Sequence, residues 1–237
     1  ALHGSYDSFN RAASACSTKT PELTNIGSFE KCWKLKDGRW WLCKTASSEE
    51  LFSELFVYEL GKRLGMQMAE CRRGNHVLQS LDFTNAGEII LEHASSFMGD
   101  NDDYEDVITA LRDICPQAIP DYIRMIFLDT ITANPDRHTA NFGLLRDASS
   151  GDLLGLAPLF DHNMALISRG YPKPFDQRKK DLLITLFTDI LDEYPAFRDC
   201  LPTLTRDILQ DAAAAVSVRA RKKEIVTYVW ARYRAVL

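Results

Sequence analysis

Apolar and polar positions along the chain change period several times, and each change marks an element. Cys32 to Lys36 and Arg39 to Lys44 flank Asp37-Gly38, a two-residue turn that predicts a β-hairpin. In the second strand Trp40, Leu42 and Lys44 point to one face and Trp41 and Cys43 to the other. The period then lengthens. Ser47 to Glu50 reads as a capping box, and Leu51, Leu55 and Tyr58, beside Phe52, Phe56, Leu60 and Leu64, recur at helical spacing. Gly65 suits a left-handed cap after that helix. Strand-like runs follow around Cys71 to Leu78 and Glu88 to Glu92.

Between residues 94 and 106 the pattern breaks into Gly99-Asp100-Asn101-Asp102-Asp103-Tyr104-Glu105-Asp106, which reads as a solvated acidic connector without calcium-loop spacing. Beyond it helical periodicity dominates, over Asp121 to Ala133, Arg178 to Leu191, Leu201 to Val218 and Lys223 to Leu237. Asn134-Pro135 stops the first of these. A strand pair is predicted over Phe142 to Leu145 and Leu153 to Leu156, with Asn141 before it and Asp161 after it. Such a hairpin brings those two polar residues together. The chain therefore divides into a sheet-rich part, residues 1–95, and a mostly helical part, residues 96–237.

Composition narrows the function classes. With 46% hydrophobic and 26% charged positions over 237 residues, the chain has enough apolar material for a core, and disorder is excluded. No apolar run approaches the about 18 residues of a membrane span. A net charge of −5 argues against direct nucleic-acid binding. The six cysteines are scattered without a Cys-x-x-Cys pair and read as buried small hydrophobes, which points to the cytoplasm. The opening Ala1-Leu2-His3-Gly4 carries no signal-peptide pattern, although a start without Met leaves a trimmed leader, and so a secreted effector, open.

Asp136-Arg137-His138-Thr139-Ala140-Asn141 follows a helix, with Asp161 twenty residues further on. In phosphoryl transfer that order has a physical use. One carboxylate orients and deprotonates the attacking hydroxyl, and an amide oxygen with a second carboxylate holds Mg²⁺ on the nucleotide phosphates. Asp136 is thus the candidate base, and Asn141 with Asp161 the candidate metal pair. Arg137 reads as structural, bracing the loop by a bidentate ion pair.

The stretch NPDRHTANFGLL from Asn134 to Leu145, followed by LAPLFD from Leu156 to Asp161, resembles the catalytic and metal loops of HipA-like serine/threonine kinases. Trp41-Leu42-Cys43-Lys44 is similar to the strand that bears the ATP-phosphate lysine. Glu54 lies on what resembles the helix that follows it, and would hold Lys44. Ile89-Ile90-Leu91-Glu92 resembles the interlobe strand whose backbone holds adenine, which implicates Leu91 and Glu92. Thr24 to Lys31, with Gly27, Ser28 and Lys31, sits where the family has its phosphate-facing loop, and His138 would contact nucleotide phosphate or metal-bound water.

The resemblance spans roughly residues 24 to 165 and implies an α+β, two-lobed, protein-kinase-like fold with a small β-rich N-lobe and a larger helical C-lobe. It further implies ATP and Mg²⁺ as cofactors and transfer of the γ-phosphoryl group to a Ser/Thr hydroxyl of a protein substrate. The chain is shorter than the toxin type that names the family, so an antitoxin-like protein partner stays open. Two rival readings stand beside it. One is a lipid or small-molecule kinase, for which Arg178-Lys179-Lys180 and Arg219 to Lys223 are the basic clusters. The other is a nucleotide-binding pseudokinase that acts as an interaction module.

Overall fold

The structure, a computed structural model, describes residues 31–75, 77–167, 174–176 and 179–237. The proposed loop residues Gly27 and Ser28, and Arg178 of the basic cluster, lie outside these residues. β1 (Lys31–Lys36) and β2 (Arg39–Thr45) form the expected hairpin. Asp37 and Gly38 both take positive φ, +53° and +74°, so the turn matches the right-handed strand twist. The register sets Cys32 opposite Cys43 and Lys31 opposite Lys44. With β3 (Cys71–Arg73) and β4 (Val77–Leu81) the hairpin makes an antiparallel sheet of order β1-β2-β4-β3.

α1 (Ser48–Arg63) starts on the predicted capping box. The Ser47 hydroxyl accepts from the Glu50 N–H, and the Glu50 carboxylate accepts from the Ser47 N–H at 2.7 Å. Past its end Gly65 adopts φ +72°, a conformation that costs glycine no Cβ clash. Phe52, Phe56, Val57 and Leu60 are wholly buried, and the two phenyl rings stack 5.7 Å apart.

β5 (Ile89–His93) leaves this sheet. It pairs with β6 (Gly143–Asp147), and β6 with β7 (Leu153–Leu156), in a second antiparallel sheet of order β5-β6-β7. Gly143 permits that pairing, because a Cβ there would lie 2.2 Å from the Glu92 carbonyl oxygen. The predicted hairpin is thus present and has recruited a strand from the first half of the chain.

The remaining elements are helical: α2 (Ser95–Met98), α3 (Tyr104–Ile114), α4 (Ile119–Thr132), α5 (Leu182–Glu193), α6 (Arg206–Ala215) and α7 (Lys222–Val236). α3 corrects the reading of residues 94–106 as connector only. The Asp103 carboxylate accepts from the Glu105 and Asp106 N–H groups, and the acids in its first turn suit the helix dipole. Val107, Ile108 and Leu111 then enter the core. α5 and α6 start later than their periodicity suggests, because Asp181 and Thr205 cap them with their side chains. One apolar cluster runs from α1 through α3 and α4 to α5, α6 and α7, and α1 packs directly on α6. Among the described residues no helix is long and apolar enough to cross a membrane.

Candidate active site

The site grows from the end of α4. This helix is buried from Met125 to Thr132, and the carboxylate of Asp129 is enclosed with the apolar side chains. A buried carboxylate needs a cation and hydrogen bonds. Ala133 ends the helix in the left-handed conformation at φ +53°, and Asn134 returns its Nδ2 to Asp129 Oδ1 at 2.8 Å. The next turn supplies the cation. Arg137 binds Asp129 in bidentate fashion, Nε to Oδ2 at 2.7 Å and Nη2 to Oδ1 at 3.1 Å.

Its remaining nitrogen does more than brace the loop. Arg137 Nη1 donates to the carbonyl of Asn141 at 2.6 Å and to that of Phe160 at 2.8 Å. One buried guanidinium therefore ties the Asp136–Asn141 loop to the residue that precedes Asp161. Asn141 donates Nδ2 to the Asp136 carbonyl at 2.7 Å. That acceptor fixes the amide orientation and turns the Asn141 Oδ1 the other way. Asp136 is half-buried, and among the described residues no group hydrogen-bonds its carboxylate.

Asp161 sits at φ +61°, a strained position for a residue with a side chain. Three contacts hold the turn there. Arg137 secures the Phe160 carbonyl, Lys44 Nζ donates to Asp161 Oδ1 at 2.9 Å, and Glu54 Oε2 accepts the His162 N–H at 2.6 Å. Burial works to raise the Asp161 carboxyl, but the charge and hydrogen bond of Lys44, then Arg137 and His162, hold it below the ordinary carboxylate range. Burial likewise works against the Lys44 ammonium, and Asp161 with Glu54 raises it nonetheless.

The expected Lys44–Glu54 pairing takes a different form. Asp161 receives the lysine, while Glu54, buried on α1, turns to the backbone of the Asp161 loop and reaches Lys44 through its charge. Lys31 lies across the hairpin from Lys44, its ammonium lowered by burial and then by the Lys44 charge. His138 is exposed, with Nδ1 accepting the Ala140 N–H at 3.2 Å. Glu92 engages its side chain with Arg146, at 2.7 and 2.9 Å, and with the Ser96 hydroxyl at 3.4 Å. The backbone of Leu91 and Glu92 pairs with β6 on one side, and among the described residues no strand pairs with the other edge of β5. That strand is joined to the loop as well, through Ala94 N–H to Phe142 and Ser95 N–H to Thr139, both at 3.0 Å.

Lys44, Glu54, Asp136, Asn141 and Asp161 thus belong to one connected network, with Lys31 at its border. Pattern reading missed Asp129, Asn134 and the His162 N–H. Asp129 did leave a signal, because a single acid inside the run Met125-Ile126-Phe127-Leu128-Asp129 must be paired when buried. Among the described residues no three His, Cys, Asp or Glu side chains gather as a metal cluster. Asn141 Oδ1 and the second Asp161 oxygen are both hard oxygen donors, the chemistry Mg²⁺ takes from protein.

Comparison with known proteins agrees with this architecture. No curated protein matches the chain. The Helicobacter pylori proinflammatory kinase CtkA superposes over 86% of this chain and 90% of its own, with 18% identity and a TM-score of 0.67, which shows a kinase-like fold. Shewanella oneidensis HipA, from its complex with HipB and operator DNA, aligns over 88% of this chain and 65% of its own, at 18% identity and a TM-score of 0.46. The HipA-like C-terminal domain family matches residues 16–227, and the chain belongs to that family.

Proposed function

We propose that the chain transfers the γ-phosphoryl group of ATP to a Ser or Thr hydroxyl of a protein. The observation that carries the reading is the Arg137 bridge, which joins the loop bearing Asp136 and Asn141 to the turn bearing Asp161. Asp136 orients the acceptor hydroxyl and takes its proton, a role that its unengaged carboxylate suits. Asn141 and Asp161 hold the magnesium ion, whose charge offsets that developing on the phosphoryl oxygens. Lys44 neutralises phosphate charge, and Glu54 keeps the Asp161 loop in place beside it. The edge of β5 that no described strand covers offers backbone groups of Leu91 and Glu92 to adenine, with Gly27, Ser28, Lys31 and His138 toward the phosphates. On this reading the chain divides at about residue 95 and the nucleotide binds between the first sheet and the helices.

Incubation with γ-labelled ATP, Mg²⁺ and a generic protein acceptor tests the substrate class. Acid-stable label recovered as phosphoserine or phosphothreonine is the expected result. Label transferred to lipid vesicles and absent from any protein, this chain included, overturns the protein-kinase reading.

A further inference from the structure

Cys32 and Cys43 face each other across the β1–β2 hairpin, and both are thiols. Directly opposed residues of an antiparallel pair have Cα atoms about 4.5–5.5 Å apart, within the range a disulfide spans. The two side chains hydrogen-bond to each other, Gln79 Nε2 donates to Cys43 Sγ at 3.5 Å, and Sγ also lies 3.9 Å from the Trp41 carbonyl oxygen. Gln79 is itself oriented by Arg72, whose Nε donates to Oε1 at 3.0 Å and whose guanidinium stacks 3.6 Å over Trp41. Thiol, amide and guanidinium therefore share one face of the sheet, with Lys34 adding positive charge.

We propose that Cys32 and Cys43 are a redox-active dithiol that hydrogen peroxide converts into a cross-strand disulfide beside Lys44. The Cys43 thiolate attacks one peroxide oxygen, the O–O bond breaks, and water leaves after protonation, so Cys43 becomes a sulfenic acid. The Cys32 sulfur then attacks the Cys43 sulfur and a second water leaves with the Cys32 proton. Two thiols and one peroxide give one disulfide and two waters. A dithiol reductant reverses the step.

Among the described cysteines the surroundings favour a thiolate at Cys43. The hydrogen bond from Cys32 does most to lower the Cys43 thiol to about 7; burial opposes it, and Gln79, Lys34 and Arg72 assist it. A thiol that titrates near ambient pH combines thiolate population with nucleophilicity. Cys71, on the opposite face of the sheet, is pushed well above its usual value by burial and then by Glu54 and Glu59, and Cys115 is also raised by burial. The register pair next to the dithiol is Lys31–Lys44, so a bond at Cys32–Cys43 resets the strand that aims the lysine. This consequence rests on the proposed phosphoryl transfer; the bond itself does not.

The test treats the full chain with an equivalent of hydrogen peroxide and maps peptides without reduction. Trypsin cuts at Lys34, Lys36 and Arg39, so the two cysteines fall on separate peptides. The expected product is a Cys32–Cys43 bridged peptide, lighter by two hydrogens, formed in the native protein, reversed by dithiothreitol and lost in Cys32→Ser and Cys43→Ser. In the same samples label transfer from ATP falls by ~10²-fold on oxidation, the scale expected for a group moved by about 1 Å, and Cys32→Ser resists that fall. Oxidation confined to Cys200, a bridge to Cys16, or irreversible sulfinic acid at Cys43 overturns the dithiol. A bridge that forms in a protein with no basal transfer overturns the proposed function and leaves the dithiol standing. A bridge that leaves basal transfer intact overturns its link to Lys44.

Discussion

Arg137 is 7% exposed and makes four hydrogen bonds, two to a carboxylate and two to carbonyl oxygens. Its loss leaves Asp129 charged, buried and without its cation, a defect that costs about 3–5 kcal/mol. Arg137→Met is therefore expected to lower the unfolding free energy from urea titration by that amount, and an unchanged midpoint contradicts the bridge. Arg137→Lys recovers little of it, because an ammonium cannot match the fork that reaches Asp129 and two loops at once. Asp161 calls for a different readout. Asp161→Ala removes a proposed metal ligand and the partner of Lys44, so weaker Mg-ATP binding with an altered Mg²⁺ requirement is expected from titration calorimetry. A variant with wild-type Mg²⁺ dependence removes Asp161 from the metal pair.

At the scale of elements, the hairpins and α1 were legible because their signals are local. Asp37-Gly38 needs only its own two positive φ values, and the Ser47–Glu50 box needs only the first turn of α1. Ser47→Ala is expected to cost ~1 kcal/mol in denaturant unfolding, and no loss contradicts the cap. What the sequence hid is long-range or compositional. The acids of α3 made a helix start resemble a connector, since Asp103, Glu105 and Asp106 cap and favour the dipole while the apolar stripe Tyr104, Val107, Ile108 and Leu111 begins inside the acidic run. The union of β5 with β6 joins residues about fifty apart and has no periodicity to announce it. Glu54 likewise meets the His162 N–H, 108 positions away, where helix periodicity is silent. Gly143 allows the β5–β6 approach, so Gly143→Ala forces a Cβ onto the Glu92 carbonyl and separates the strands. A loss of about 1–3 kcal/mol is expected, the range for overpacking, with reduced amide protection along Ile89 to His93. Unchanged protection there contradicts the pairing.

For the whole molecule, the acidic charge of −5 coexists with a network in which Arg137 is buried, and Lys44 part-buried, against carboxylates. The Asp136-to-Asn141 spacing and its order relative to Asp161 carried most of what the sequence revealed about function, and the fold gives that spacing a single buried anchor in Asp129. α1, α4 and the C-terminal helices share one apolar cluster, so a change at the half-buried Asp136 carboxylate leaves the core intact. The most direct measurement is incorporation of label from γ-labelled ATP with Mg²⁺, with wild type and Asp136→Ala compared at matched unfolding midpoints and matched nucleotide binding. Wild type is expected to transfer label, and Asp136→Ala to lose ~10³-fold or more of that rate because the acceptor is no longer positioned. Transfer by Asp136→Ala at the wild-type rate contradicts the account, as does a wild type that binds Mg-ATP and transfers nothing.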